Sequence, residues 1–234
     1  MTRKALLLAA LALVACERRQ PSAPAPVSTP APASVPTPAS APARMPAAAP
    51  SPARETGQAS DNWRDYAKAD DADRLSRLSG AWDVAVKLAR AKGHADELAA
   101  LGPLADPHAH ALAHPQPAPG DYRCRTIKLG GSSGFVSYPW FRCRVELTPG
   151  GDLTLTKVTG SQRSAGKFYP DTDSRLVYLG GQAWSADEEK APAYGAAPER
   201  DQIGVLERIG ETRWRLALPW PRVESDLDLM DIRR

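Results

Sequence analysis

The chain has 234 residues, a formal net charge of +3, 42% hydrophobic residues and three cysteines. A net charge this small lacks the dense positive field that nucleic-acid binding uses, so no nucleic-acid partner is expected. Without a leader and a low-complexity tract at the N-terminus, about 175 residues remain, which is enough for one domain with its own core.

The N-terminus has the layout of a secretory signal. Arg3 and Lys4 precede an apolar run from Ala5 to Val14, and small residues lead to Cys16. The run is too short to span a bilayer as a helix. The four residues that end at Cys16 resemble the lipobox of bacterial lipoproteins, in which the signal is cut before a cysteine that then carries the lipid.

This resemblance implies that residues 1–15 are a lipoprotein signal peptide and that Cys16 is lipidated, with palmitate among its acyl chains. Glu17 stands where a retained lipoprotein would have Asp, which implies sorting to the outer membrane. We therefore expect a protein anchored by its lipid at the periplasmic face of that membrane. An ordinary signal peptide with an incidental cysteine is the alternative.

Residues 16–59 are predicted to be a disordered linker. The segment Gln20–Arg54 holds 11 Pro and 11 Ala among its 35 residues and has little apolar bulk to bury. Pro-rich chain extends by about 3.1 Å per residue, so this tether reaches on the order of 100 Å from the lipid. The composition indicates a spacer.

Residues 60–116 are predicted to form the helical N-terminal part of the globular domain. Apolar residues recur at spacings of three and four, which predicts one helix over Asp70–Lys92, and a second helix is expected at Ala95–Leu101. His108, His110 and His114 follow. Prolines flank these histidines, so a polar connector is favoured over a metal site.

The stretch Gly120–Leu147 carries one tetrapeptide pattern twice, in Tyr122–Arg125 and again in Phe141–Arg144. The segment between the copies is rich in Gly and Ser, which predicts an antiparallel hairpin closed around Ser133 and Gly134. Because side chains alternate along a strand, the cysteines would face the core together with Tyr122 and Phe141, and the arginines would face outward.

In this register Cys124 lies directly opposite Cys143, at a distance that a disulfide tolerates. Lipidation of Cys16 would leave these two as a pair, and an exported location favours their oxidation. Closing a loop of this size contributes on the order of 3 kcal/mol if chain entropy governs the effect.

The same register places Arg123 opposite Arg144 and Arg125 opposite Arg142. Like charges that face each other across a sheet are unfavourable unless something neutralises them. One interpretation is that neighbouring carboxylates do so while the guanidinium groups extend into water. The other is that the forks hold an anion such as phosphate or carboxylate.

Residues 117–234 are predicted to form the antiparallel β part of the same domain. A three-residue loop after the first hairpin aligns Leu147 with Leu153 and keeps apolar residues on the inner face. The segment 180–199 is predicted to be a long loop with a short strand at 182–184. Further strands are expected at 152–159, 174–179 and 227–232.

A second hairpin is predicted from Gln202–Ile209 to Thr212–Leu218, with a two-residue turn at Gly210-Glu211. One face would then carry Ile203, Val205, Trp214, Leu216 and Leu218. The opposite face would carry Arg208, Arg213 and Arg215 as a second basic surface. The expected fold class is α+β, with N-terminal helices packed on an antiparallel β-sheet or a small β-barrel.

A set of short motifs is spread over the chain from Asp61 to Ile232. It comprises Asp73-Arg74-Leu75, Ala81-Trp82, Gly120 to Arg125, Lys128-Leu129-Gly130, Phe141-Arg142-Cys143, Lys157, Gly160 to Arg163, Tyr169-Pro170-Asp171, Tyr194-Gly195, Gly204, Glu207 to Gly210, Arg213 to Leu216 and Leu218-Pro219. Together they resemble the domain of unknown function 4893 family, exported bacterial proteins that are frequently lipoproteins. The resemblance implies an envelope location and no established activity.

Three functions remain open. The first is an envelope module that binds an anionic ligand or a protein partner through arginine-rich strands, with Tyr138 and Trp140 as flat contacts. Its candidate residues are Arg123, Arg125, Arg142, Arg144, Arg163, Arg213 and Arg215. The second is an envelope enzyme with a site assembled from distant residues. The third is a structural or assembly lipoprotein.

The enzyme hypothesis has the least support in the sequence. No nucleophile elbow, zinc-protease motif, phosphate-binding loop or free cysteine nucleophile is found. Two short polar groups, Ser161–Arg163 and Asp171 with Asp173, could line a pocket, but such groups are more often turn residues. We therefore expect a non-enzyme without a cofactor or a metal, whose partners are the membrane through its lipid and an anionic envelope ligand or protein.

Overall fold

The computed structural model of the chain describes residues 61–234. The predicted signal peptide, Cys16 and the linker lie outside this range. Three helices come first, namely α1 (Ala69–Ser76), α2 (Leu78–Ala91) and α3 (Ala95–Leu101). The strands that follow are β1 (Gly120–Gly130), β2 (Gly134–Ser137), β3 (Phe141–Leu147), β4 (Leu153–Lys157), β5 (Arg163–Thr172), β6 (Arg175–Ala183), β7 (Asp201–Gly210), β8 (Arg213–Pro219) and β9 (Leu227–Arg233).

The strands form one antiparallel sheet that closes on itself. From β3 onward each strand pairs with the next, and β1 pairs with both β3 and β9. The result is an eight-stranded up-and-down barrel, and β2 is an extra strand beside the C-terminal half of β1. Closure leaves no free edge for these eight strands. The predicted α+β class is confirmed, and of the two expected sheet forms the barrel is correct.

Inward-facing side chains fill the barrel, as expected for eight strands. The interior cluster contains both half-cystines and a set of aromatic and aliphatic residues, namely Tyr122, Val145, Leu155, Phe168, Leu176, Tyr178, Leu206, Trp214, Leu216, Leu218, Met230 and Ile232. The Cα atoms of Cys124 and Cys143 are 5.8 Å apart, and the predicted disulfide is present.

The helices cover part of the outer face of the barrel. Small residues on α2, Ala81, Ala85 and Ala89, are fully buried against the outward-facing Ile127 and Leu129 of β1. Because alanine has only a methyl side chain, the helix axis comes close to the sheet. A third cluster, around Trp63 and the outward-facing residues of β5 to β7, lies under the start of α1.

The predicted single helix over Asp70–Lys92 is wrong, because the chain breaks at Arg77 between α1 and α2. Helix α1 lies along β7 and α2 lies along β1. One straight helix cannot follow two strands that diverge around a barrel, so the break lets each half bury its own face. The Trp220 indole N–H donates to the Arg77 carbonyl at 3.2 Å and caps the junction. The helix predicted at Ala95–Leu101 is confirmed.

The predicted register of the first hairpin is wrong by two positions. Tyr122, and not Cys124, lies directly opposite Cys143. The turn comes earlier than predicted, since Gly130 and Gly131 adopt positive φ values of 84° and 59°. A shift of two residues preserves the faces, so the cysteines still point inward and bond as diagonal neighbours.

The register of the next hairpin is confirmed, because Leu147 pairs with Leu153 as predicted. The last hairpin differs by one residue. Arg208 pairs with Trp214 while Gly210 pairs with Arg213, so a bulge inserts Ile209. A one-residue slip exchanges the faces of a strand. Leu206 therefore joins the interior where Ile203 and Val205 were expected, and Arg208 does not share a face with Arg213 and Arg215.

Strand β5 was not predicted from the sequence. Two of its inward positions, Ser164 and Gly166, are small, so the apolar alternation that marks a half-buried strand is missing. Strand β6 is longer than the predicted 174–179 and includes most of the separate strand expected at 182–184. The final strand, expected at 227–232, is confirmed as β9. No helix within residues 61–234 is long and apolar enough to cross a membrane.

Candidate functional site

Five arginines and one aromatic residue gather on the outer face of β1, β3, β8 and β9. We call this surface the arginine face and define it by Arg123, Arg125, Arg142, Arg213, Arg233 and Trp140 with Asp231 at its centre. Closure of the barrel brings these strands together, since β9 pairs with β1 on one side and with β8 on the other. Three of its arginines, Arg123, Arg125 and Arg142, come from the duplicated tetrapeptide.

Asp231 is fully buried beneath the arginines and accepts hydrogen bonds from several of them. Arg213 donates from Nε and Nη2 at 2.8 and 3.1 Å, and Arg233 donates from Nη2 at 2.9 Å. Arg125 Nη2 lies 3.3 Å from the same carboxylate. One negative charge is thus shared by three guanidinium groups.

The hydrogen bonds from the arginines determine the charge state of Asp231. Burial raises the pKa of Asp231, but the hydrogen bonds from Arg233 and Arg213 outweigh burial and hold its pKa below the ordinary value. The carboxylate is therefore ionised at neutral pH. Its single charge cannot balance three cations, so the centre keeps a positive excess.

The indole ring of Trp140 lies among the guanidinium groups. The distances from its ring centroid to the guanidinium carbons of Arg123, Arg125 and Arg233 are 4.7, 4.8 and 5.1 Å. All three distances are within the range of cation–π attraction. The ring is 36% exposed, so it orients the arginines and still presents a flat apolar surface to solvent. Tyr138, the other predicted flat contact, begins the irregular segment before Trp140, where its N–H donates to the Thr126 carbonyl.

The like-charged pair that faces across β1 and β3 is Arg123 with Arg142, and the predicted pairs Arg123–Arg144 and Arg125–Arg142 are wrong. Arg144 instead faces Asp121 and donates to it at 2.8 Å. The hydrogen bond and charge of Arg144 lower the pKa of Asp121. Neutralisation by a neighbouring carboxylate, one of the two interpretations of the sequence, therefore describes Arg144.

Two predicted arginines lie away from the arginine face. Arg163 donates to the carbonyl oxygens of Gly160, at 3.0 Å, and of Glu188. Arg215 is 1% exposed beneath the helices. It donates to Glu207 at 2.6 Å and to the carbonyl of Pro103 at 3.0 Å. Both side chains hold loops on the barrel, and the sequence offered no signal that separates them from the surface arginines.

Sequence reasoning missed Asp231 and Arg233. They form an Asp-x-Arg pattern on the last strand, so both point to the same face. By itself, that pattern is typical of the solvent-facing side of an ordinary strand. Its role depends on the pairing of β9 with β1, which joins residues more than 100 positions apart. The three histidines of the connector lie in a segment without helix, and no group of three or more His, Cys, Asp or Glu within residues 61–234 is placed to hold a metal.

The fold and this surface define a small antiparallel β-barrel protein with a helical cover and a positively charged outer patch. The chain belongs to the family Domain of unknown function (DUF4893), whose family model matches residues 63–232. Neither a curated protein nor a solved structure gives a significant match to the chain.

Proposed function

We propose that this chain is a lipid-anchored envelope protein whose barrel binds a phosphate-bearing ligand at the arginine face, without a chemical step. The observation that carries the proposal is a cluster of four guanidinium groups. Three of them share one carboxylate and three surround one exposed indole ring, and Arg125 and Arg233 belong to both sets. Arginine presents its N–H groups as a planar fork, which matches two oxygens of a phosphate group.

The geometry supports binding at the surface in two further ways. The guanidinium groups are held in place by Asp231 and Trp140, so little side-chain entropy is lost when a ligand arrives. The indole ring offers a flat surface on which a sugar ring or a glycerol backbone can pack. A phosphorylated sugar and an anionic phospholipid headgroup share this chemistry.

The experiment compares these two sources of phosphate. Glucose 6-phosphate is titrated into the full chain by calorimetry, and the full chain carrying Cys16→Ser, which lacks the lipid, is sedimented with phosphatidylglycerol vesicles or with phosphatidylcholine vesicles. We expect the protein to bind one of the two, either glucose 6-phosphate or the phosphatidylglycerol vesicles. Added salt should weaken this binding because the contact is electrostatic.

The test variant is Arg123→Ala with Arg142→Ala, since neither side chain bonds Asp231 and the centre stays intact. We expect it to weaken binding at least about tenfold, the effect of losing one charged hydrogen bond. Arg90→Ala is the matched control, an exposed arginine on α2. Equal binding by both variants, or no binding to either phosphate source, would contradict the proposal.

A further inference from the structure

A cavity of about 900 Å³ lies between the helices and the outer face of the barrel. Leu75 on α1 and Leu78 on α2 border it on either side of the break at Arg77. Outward-facing residues of β6, β7 and β8 form the opposite wall, which includes Val205. A volume of this size is in the range of pockets that take a small organic ligand.

The apolar wall of the cavity is held in place by packing. Trp63, Ala72 and Leu75 all border the cavity, and all three belong to the cluster that lies under the start of α1. The Trp63 indole N–H donates to Asp171 at 2.9 Å, which fixes the orientation of the ring. This wall therefore exists before a ligand arrives, so little side-chain entropy is lost on binding.

Two guanidinium groups stand beside the same wall. Asp171, which fixes Trp63, also accepts a hydrogen bond from Arg175 Nε at 2.7 Å, and Arg64 Nη1 is 4.0 Å from its carboxylate. The guanidinium carbon of Arg64 lies 4.2 Å from the centroid of the Trp63 ring. Arg64 and Arg175 both border the cavity. Their side chains are 64% and 41% exposed, so a ligand can reach both.

The charges around the cavity are not balanced. Burial raises the pKa of Asp171, but the hydrogen bonds from Trp63 and Arg175 outweigh burial and hold its pKa below the ordinary value. Asp171 therefore carries one negative charge at neutral pH, and its side chain is only 5% exposed. That single charge faces both Arg64 and Arg175.

The other carboxylate at the cavity is already engaged. Glu207 on β7 lies between Arg175 on β6 and Arg215 on β8 in the sheet register. Arg215 donates to Glu207 from Nε at 3.1 Å and from Nη2 at 2.6 Å. Within residues 61–234, the ion pairs that line the cavity thus join three guanidinium groups to two carboxylates. One positive charge is in excess.

We propose that this cavity binds a small aromatic carboxylate, with its ring against Trp63, Ala72 and Leu75 and its carboxylate on Arg64 and Arg175. A single negative charge balances the excess. A guanidinium fork matches the two oxygens of a carboxylate, and both guanidinium planes and indole rings pack well against a flat ring.

The cavity is separate from the arginine face. It opens between α1, α2 and strands β6 to β8, whereas the arginine face is built on β1, β3, β8 and β9 around Trp140. Each site has its own tryptophan, so one spectrum can report on both. The inference therefore does not rest on the proposed function.

The probe is 2-naphthoate, and 2-naphthamide is its uncharged counterpart with the same ring. Each is titrated by calorimetry into the full chain carrying Cys16→Ser, and the indole N–H signals of the tryptophans are followed by NMR. We expect 2-naphthoate to bind at least about tenfold more tightly than the amide, the effect of one charged hydrogen bond. The Trp63 signal should shift and the Trp140 signal should not.

Two variants separate the charge of the site from its shape. Arg64→Gln with Arg175→Gln should weaken 2-naphthoate by at least about tenfold and leave 2-naphthamide unchanged, since only the charge is removed. Ala72→Leu fills space beside Trp63 and keeps every charge, so it should weaken both compounds. Arg90→Gln, which changes an exposed arginine on α2, is the control and should bind both like the parent. The unfolding temperature of each variant shows that it is folded.

Equal affinity for 2-naphthoate and 2-naphthamide would overturn the proposal, as would a parent chain that binds neither. Binding that survives unchanged in both variants would also overturn it. The Arg123→Ala and Arg142→Ala variant should bind 2-naphthoate like the parent. A shift of the Trp140 signal without a shift of the Trp63 signal would place 2-naphthoate on the arginine face and refute the cavity site.

Discussion

The buried carboxylate of Asp231 holds three guanidinium groups of the arginine face in position. Its two oxygens set the positions of Arg125, Arg213 and Arg233, which come from three different strands. The arginines are partly exposed, so their charges are screened, but the carboxylate itself has no contact with water. The surface proposed to bind phosphate therefore depends on a residue that no ligand would touch.

We predict that Asp231→Asn lowers the free energy of unfolding by about 2 kcal/mol at pH 7, because three guanidinium groups lose their shared counter-charge. The folded-state pKa of Asp231 is below the unfolded value of about 3.9, so its contribution is complete above about pH 5 and is lost as the pH falls through the folded pKa. Urea denaturation of parent and variant from pH 7 to pH 2.5 measures this.

The difference between the two proteins should stay constant down to about pH 5 and narrow below pH 4. Asp83→Asn, which changes an exposed carboxylate on α2, is the control and should have little effect at any pH. A difference that widened in acid would mean that Asp231 is protonated in the folded protein at neutral pH.

At the scale of elements, the middle strands of the barrel are shaped by glycine. Gly166 on β5 and Gly180 on β6 face each other across the ladder and both point inward. The ring of Tyr178 occupies the space that their side chains would need. The same two glycines remove the apolar alternation that would have identified β5 and the full length of β6.

We predict that Gly166→Ala lowers the free energy of unfolding by about 2 kcal/mol or more, as expected for overpacking. The added Cβ would lie 2.4 Å from the Leu179 carbonyl oxygen and 2.6 Å from the Tyr178 ring, and the backbone atom cannot move away. Chemical denaturation measures the change. Gly150→Ala, where the nearest atom is 3.7 Å away, is the control. Equal stability of the two variants would show that the sheet yields at Gly166.

For the whole molecule, side chains from the helices and the barrel fix the cover in place. Arg74 on α1 is buried, pairs with Asp71, and donates to the carbonyl oxygens of Asp201 and Trp220 at 3.0 and 3.1 Å. From the barrel side, Arg215 bonds the carbonyls that follow α3. Arg74 therefore links α1 to the start of β7 and to the residue after β8. Arg215 links β8 to the segment that follows α3.

The attachment of the whole protein to the membrane can be tested by one substitution. We predict that Cys16→Ser moves the full chain from the membrane fraction to the soluble periplasmic fraction, because a lipid on that cysteine is the proposed anchor. Fractionation followed by immunoblotting measures this. Cys124→Ser with Cys143→Ser is the control, which should leave the attachment unchanged. A Cys16→Ser protein that stayed with the membrane would refute the lipid anchor.

The faces of the first hairpin followed from the sequence, because side chains alternate with a period of two and a shift of two residues leaves the faces unchanged. For the same reason the disulfide was predicted correctly from a register that was wrong. The faces of the last hairpin were predicted wrongly. A bulge at Ile209 shifts its register by one residue, and a shift of one residue exchanges the two faces of a strand.

The sequence alone therefore determined the class of fold, the disulfide pair, the inward face of the duplicated motif and the family resemblance, since each depends on local pattern. Only the tertiary structure decided that β9 closes on β1. Closure placed Asp231 and Arg233 beside Arg125 and buried Arg215 beneath the helices. Pairing between the first and last strands joins residues distant in the chain, and no spacing within a single segment records it.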